Sequence, residues 1–369
     1  MEEEKAITIF VTDTSVSDQL YPDDLYRAGN AARKARASNI FLEYHKGLTE
    51  NTRRRQKNDL THFSNYLYAV GVGRASEELY EIPESWEGIN DALVSGFQVW
   101  LENKGYAMGS ICVYLTTIKK YCNLVEQAGL LSLEELHLIQ LVRGKSGKLA
   151  VNRDHERIAD GVPTRIGNKK ENAVEIETSK VFKIKRATTQ PKKQSKEQQE
   201  LMAARDALLT GLLFEHALRC GEVANLNIED FSLQTGNVHI YHEKTNLHDK
   251  QKLKKHTRIA AENYIGMLKE GVAGIPRTAG PLFLGYENKR ITRRAINARV
   301  RTLGETIGVK NLSPHDARHF WVYDALKNGT PLDKVQSGGG WKTPHMPLYY
   351  AKRGSIANDG VIISEEDDE

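Results

Sequence analysis

Between about residues 36 and 142, apolar side chains return every three or four positions, the period of a helix with one buried face. Thr52-Arg53-Arg54-Arg55-Gln56 opens a segment in which Leu60, Phe63, Leu67 and Val70 share a face, and Gly71-Val72-Gly73 closes it. The pattern predicts a second helix from Trp86 to Lys104, with Leu93, Phe97 and Trp100 inward and Gly105 as its stop. Ser110 is suited to cap a third, whose buried stripe is Ile111, Leu115, Ile118 and Cys122. A four-helix domain is expected. Residues 1–35 show no clear period, and Ala6-Ile7-Thr8-Ile9-Phe10-Val11 reads equally as a strand or a docking arm.

The stretch from Arg143 to Lys196 breaks this pattern. Lysine and arginine recur through it, including Lys145, Lys148, Arg165, Lys169 and Lys170, while acids and aliphatic residues are sparse. Taken alone these charges describe a solvated linker, here placed at 143–174. From about residue 175 the pattern tightens again. Arg205-Asp206-Ala207-Leu208-Leu209 begins a helix running to Phe214, Val238 to Tyr241 alternates like a strand, and Glu243 to Lys255 reads as a hairpin or loop. Pro281 to Leu284 is a further short segment. Helices are predicted over Thr292–Ile307 and Asp316–Asn328, the second stopped by Gly329.

Composition refines the picture in three respects. A chain of 369 residues is long for one domain, so two are expected. The formal net charge is +4, but both ends are acidic (Glu2-Glu3-Glu4 and Glu365-Glu366-Asp367-Asp368-Glu369), so the interior is more basic than the total. Cys112, Cys122 and Cys220 have neither the number nor the spacing of a disulfide framework or zinc site, and read as buried thiols in a reducing compartment. With no apolar run of membrane-spanning length and no signal-like start, a cytoplasmic protein is expected.

The chemistry concentrates in the second half. His315-Asp316-Ala317-Arg318-His319 sets an imidazole and a guanidinium three residues apart, on one helical face. Leu312-Ser313-Pro314 before them supplies an N-cap and a pre-set first turn, a placement that attracts phosphate. Downstream stand Gly340-Trp341 and then Tyr350, and upstream lies Arg219 in Ala217-Leu218-Arg219-Cys220-Gly221-Glu222. Each residue alone has an ordinary explanation as a surface cation, helix start or core ring. Together, two arginines, a histidine, an indole donor and a tyrosine suit chemistry on a phosphodiester. Guanidinium forks hold the non-bridging oxygens while the phenol attacks phosphorus.

These residues resemble the catalytic domain of the tyrosine recombinases, the phage-integrase family. The intervals from Arg318 to Trp341 (23 residues) and from Trp341 to Tyr350 (nine) are those typical of that family. The resemblance implies a mainly α fold with a small β-sheet: an arm (1–35), a SAM-like helical core-binding domain (36–142), the basic linker, an α+β catalytic domain (175–355), and a tail (356–369) suited to docking on a neighbouring protomer. It implies catalytic roles for Arg219, Lys244, His315, Arg318, Trp341 and Tyr350 as nucleophile, with Glu222 in support and Lys250 as the alternative hairpin lysine. Trp341 replaces the histidine more common at its position. The run Gly338, Gly339, Gly340 departs from the family's apolar residues, and Pro344 and Pro347 argue against a regular helix beside His345, a substitute donor.

The implied reaction is cleavage and rejoining of DNA through a 3′-phosphotyrosine, with no cofactor, metal or ATP. The implied partners are double-stranded DNA, held in a C-shaped clamp, and three further copies of the chain, as a homotetramer on two sites. A directionality factor also belongs to such systems, as does nucleoid association when DNA is bound. Arg53, Arg54, Arg55, Lys145, Lys148, Arg165, Lys169 and Lys170 are the expected DNA contacts. The alternatives are a type IB topoisomerase and a non-catalytic DNA-binding descendant of the fold.

Overall fold

The computed structural model describes residues 22–162, 173–186, 195–243, 246–272, 274 and 276–352. They fall into two compact units divided at residues 169/170. No helix is long and apolar enough to cross a membrane among the described residues.

Seven α-helices build the first unit among the described residues. α1 (Pro22–Lys46) starts well inside the stretch read as an aperiodic arm. Its two ends differ: Ile40 and Phe41 are buried while Leu25 and Tyr26 are exposed. Alanine, arginine and lysine in between favour helix by propensity. α2 (Glu50–Ala69) is capped by Thr49 and buries Leu60, Phe63 and Leu67 as expected. Val70 is exposed, because the helix has ended. α3 (Ser76–Glu81) follows.

The helix predicted over Trp86–Lys104 is two elements. A 3-10 turn, Pro83–Trp86, is separated from α4 (Asp91–Asn103) by Gly88 at φ 82° and by Asn90, whose side chain accepts from Leu93 N–H. Trp86 is thereby free to leave the helix line and enter the core, where it stacks on Tyr121 with centroids 5.5 Å apart. Its indole N–H donates to Leu79 O at 2.8 Å. α5 (Met108–Gln127) buries Ile111, Leu115, Ile118 and Cys122. Each such large apolar side chain contributes about 1.5–3 kcal/mol. α5 starts before Ser110, which is not its cap; the Met108 N–H is taken by the carboxylate of Asp154, at 3.1 and 3.2 Å.

Asp154 lies on α7 (Gly147–Ala159), which follows α6 (Leu133–Leu141) and occupies much of the predicted linker. Its attachment is polar, which is why an apolar pattern missed it. Arg157 is buried, donating to Asp154 Oδ1 (3.1 Å), Tyr106 O (3.0 Å) and Glu102 O (2.6 Å). One carboxylate thus caps the start of α5, and one guanidinium takes a carbonyl of the last turn of α4 and another from the loop after it. The thiols differ from expectation as well: Cys122 is buried, but Cys112 and Cys220 are half-buried, and all three are free.

The second unit is built around α9 (Lys196–Phe214), whose Leu208, Leu209, Leu212 and Leu213 are buried. α8 (Thr178–Ile184) precedes it and buries Val181 and Ile184 in the same core. Asp206 of α9 is fully buried and is held by Arg299, whose Nε lies 3.0 and 3.1 Å from its two oxygens. After α10 (Cys220–Asn225) comes an antiparallel sheet of β1 (Phe231–Ser232), β2 (Asn237–His242) and β3 (Leu247–Lys252), in that order. β2 alternates with Val238, Ile240 and His242 inward. α11 (Lys255–Glu270) lies along α9, and α12 (Arg293–Thr306), which carries Arg299, adds Ile296, Val300 and Leu303. α13 (Pro314–Lys327), α14 (Leu332–Gly338) and α15 (His345–Lys352) share a small cluster of Val322, Val335, Trp321, Trp341 and Tyr350. α15 is regular despite Pro347, which sits in its first turn, where an amide N–H has no helical partner to lose.

Arg157→Met should destabilise the first unit by about 3–5 kcal/mol, since it strands a buried carboxylate. Arg153→Met, in the same helix but more exposed, should cost under about 1 kcal/mol. Thermal or urea unfolding of the two variants measures the difference.

Candidate active site

α9 ends at Phe214, and the chain turns sharply through Glu215 to Leu218. Ala217 pays for the turn with φ 53°, a left-handed conformation unusual for a residue with a Cβ. Arg219 then occupies the N-cap of α10. Glu222, one turn later, accepts from the Arg219 backbone N–H at 2.6 Å and from its Nη1 at 2.7 Å. The same carboxylate receives His242 Nδ1 from β2 at 2.7 Å, and the other ring nitrogen of His242 lies 2.9 Å from Asp249 of β3. Burial alone would raise the Glu222 pKa. The bonds from His242 and Arg219 outweigh it and hold the carboxyl down to about 2. It is an anion at neutral pH.

The second arginine comes from α13. Asp316 fixes the start of that helix, accepting from Ser313 N–H (2.8 Å), Ser313 Oγ (2.7 Å) and Val174 N–H (3.0 Å). Arg318 is 3% exposed. Its Nη1 donates to Ala217 O and its Nη2 to Gly339 O. Its Cζ lies 3.7 Å from the centroid of the Trp341 ring, stacked on the indole face. Burial, and then the neighbouring charge of Arg219, lower its pKa to about 9, so it stays cationic at neutral pH.

The glycine run makes this arrangement possible. A Cβ at Gly339 would run into the Trp341 ring, one at Gly340 would come within 2.9 Å of His242, and one at Gly338 within 3.3 Å of Trp321. Gly340 also has φ 62°. Its carbonyl receives Arg219 Nη2 at 3.5 Å.

Tyr350, on α15, is 6% exposed, whereas the adjacent Tyr349 is 43% exposed. The Tyr350 ring meets His319 edge to face at 4.2 Å, His315 at 5.7 Å and Trp341 at 5.8 Å. Burial raises its pKa, and the charges of Arg318 and Arg219 pull the other way without cancelling the shift. At rest it is a neutral phenol.

The structure therefore brings Arg219, Glu222, Arg318, Trp341 and Tyr350 together, with His315 exposed at their edge. Lys244 lies outside the described residues. Lys250 pairs with His239 on the outward face of the hairpin, away from His242. His345 is exposed. Two residues escaped the sequence reading. His242 was discoverable as the third inward position of a strand whose first two are Val238 and Ile240. His319 was hidden because a histidine after an arginine has no periodic signature.

Of the expected DNA contacts, Arg53 and Arg54 border a depression of about 810 Å³ on the first unit, together with Lys57, His45 and Tyr80. Arg55 is turned to Asp59 at 3.2 Å. Lys145 and Lys148 are exposed, and Arg165, Lys169 and Lys170 lie outside the described residues. No group of three or more histidine, cysteine or acidic residues is arranged to hold a metal ion among the described residues.

Residues 172–354 match the phage integrase family. Over 300 residues the chain is 21% identical to tyrosine recombinase XerD of Oceanobacillus iheyensis, covering 80% of this chain and 85% of that protein. Tyrosine recombinase XerC of Herpetosiphon aurantiacus is likewise 21% identical, over 80% of this chain and 82% of its own length. The fold is similar to that of a lambda integrase dimer bound to a COC′ core site (TM-score 0.53, 12% identity, 96% of this chain and 85% of that one). It is also similar to the Tn1549 transposon integrase in complex with a circular intermediate DNA (TM-score 0.51, 14% identity, 79% and 94%). With the family match spanning the unit that holds both arginines and the buried tyrosine, and with relatives aligned over most of their length, the chain belongs to the phage integrase family and is a tyrosine-type site-specific recombinase.

Proposed function

We propose that the chain cleaves and rejoins double-stranded DNA with Tyr350 as nucleophile, through a 3′-phosphotyrosine and without a metal ion. One observation carries the reading: guanidinium groups from two separate helices converge beside a buried tyrosine, with the Glu222 carboxylate bonded to the first of them. The surplus positive charge is what a phosphodiester would neutralise.

In this mechanism the Tyr350 oxygen forms a bond to phosphorus as the bond to the 5′ oxygen breaks. The phenolic proton leaves as the new bond forms, with the imidazoles of His315 and His319 beside the ring to take it. Lys244 delivers a proton to the departing 5′ oxygen. Arg219 and Arg318 stabilise charge on the non-bridging oxygens, and a preorganised donor of that kind contributes about 3–4 kcal/mol. Two of Arg318's five N–H groups are committed to carbonyls, so others stay available to phosphate. Trp341 carries the guanidinium on its face, and its ring N–H is a further donor. The phosphotyrosine keeps the energy of the broken bond, and a 5′-hydroxyl from a second strand reverses the step on a new partner. Arg53, Arg54, Lys145 and Lys148 supply phosphate contacts that set affinity. Protomers act as a homotetramer on two sites, with residues 356–369, outside the described residues, as the docking tail.

A duplex selected by the protein from a randomised pool and nicked beside its cleavage position provides the assay. Tyr350→Phe should form no covalent adduct and keep its affinity, while Tyr349→Phe still forms one; a phosphotyrosine mapped to residue 349 would overturn the assignment. Arg318→Lys should bind the same duplex within a few-fold and lose cleavage by about a hundred- to a thousandfold, because a point charge cannot replace the fork. Parallel loss of binding and cleavage would reduce Arg318 to a DNA anchor. Adduct formation should continue in excess EDTA; abolition by chelator and restoration by magnesium would rule the mechanism out.

A further inference from the structure

Three consecutive glycines have more backbone freedom to lose than any other tripeptide, and no side chains with which to be held. Yet Gly339 and Gly340 present the carbonyls that receive Arg318 and Arg219. Something outside the run must set its position.

Backbone bonds to α14 do so in part, from Gly339 N–H to Val335 O (3.0 Å) and from Gly340 N–H to Ser337 O (2.9 Å), and the β2–β3 hairpin adds two further points. His242 of β2 lies against Gly340, leaving no room for a Cβ. Gln251 of β3 donates from Nε2 to Gly338 O at 2.8 Å. The other end of that amide, Oε1, lies 3.0 Å from His216 Nδ1, and His216 Nε2 receives the Lys254 backbone N–H at 3.3 Å. These bonds have a fixed direction. A backbone N–H can only donate, so His216 Nε2 is the acceptor and its proton is on Nδ1. That proton goes to Gln251 Oε1, which leaves the amide NH₂ for Gly338 O. His216 is 3% exposed and sits next to Ala217, whose carbonyl holds the other nitrogen of Arg318. The turn before Arg219 and the glycine run before Trp341 are therefore joined through one glutamine.

We propose that Gln251, anchored by His216, is a positioning residue for the recombination reaction. It fixes the glycine run so that the Gly339 and Gly340 carbonyls, with the Trp341 ring above them, hold the two guanidinium groups at the spacing the phosphate requires. The inference rests on the recombinase reading above, but it concerns residues that touch neither DNA nor Tyr350 in that reading.

Two variants test it. Gln251→Glu keeps the shape and the bond from His216 but turns a carboxylate toward Gly338 O; Gln251→Leu removes both bonds. On the selected, nicked duplex at saturating concentration, both should form the Tyr350 adduct about 10- to 100-fold more slowly, the scale of a misplacement near 1 Å. Affinity for that duplex should stay within about threefold, since phosphate contacts elsewhere supply it. Hydrogen exchange in the DNA-free protein should rise at residues 338–341 and stay unchanged in α9. Wild-type adduct rates in both variants overturn the proposal, as does a loss of rate matched by equal loss of affinity and of thermal stability. A native chain that makes no adduct, with the exchange change still seen, overturns the recombinase reading and leaves only the strut.

Discussion

A buried cation governs the second unit. Arg318 is almost wholly removed from water, and an unpartnered guanidinium there would cost several kilocalories per mole. Among the described residues no carboxylate forms an ion pair with it; two main-chain carbonyls and an aromatic face hold it instead. Neutral partners offset desolvation without cancelling the charge, and that is the useful outcome: the group stays positive and still attracts an anion. Much of the surrounding architecture follows from supplying those partners. Ala217 adopts a strained turn whose carbonyl meets Arg318. The chain from α14 to α15 has to bring Gly339 and Trp341 to the same place.

The two arginines are handled differently. Arg219 is partly exposed and has its own carboxylate, which orients it and is itself shared with His242. Arg318 has lost its solvent and gained a ring. Beside them the Tyr350 phenol is pushed up by burial and pulled back by both charges. In the proposed reaction, that balance keeps a proton on the oxygen until a base removes it.

The sequence disclosed the site more readily than the scaffold beneath it. Intervals among Arg318, Trp341 and Tyr350 are properties of the chain, although the three stand on α13, after α14 and on α15. Likewise Leu60, Phe63 and Leu67, or Ile111, Leu115 and Ile118, announce their face because burial is apolar. Where attachment is polar the signal vanishes. α7 is joined to its unit by Asp154 and Arg157, residues that in a sequence are indistinguishable from surface charge. α1 begins with exposed residues, Leu25 and Tyr26 among them, and so shows no apolar period there. Trp86 stands outside α4 because Gly88 and Asn90 break the line between them, a stop that the apolar period does not register. His242 and Gln251 matter through contacts distant in the chain, which no local pattern encodes.

The glycine run has a further consequence for how such chains diverge. Each glycine is matched to one ring: Gly338 to Trp321, Gly339 to Trp341, Gly340 to His242. Volume has been moved from the backbone run to its neighbours, so neither half of a pair can change freely. In descendants of this chain a side chain should enter position 339 only where residue 341 has become smaller or turned away, and position 340 only where residue 242 has receded and the backbone has left its positive φ. Within each pair the order of change is constrained: the small residue has to be in place before the large one can be accommodated.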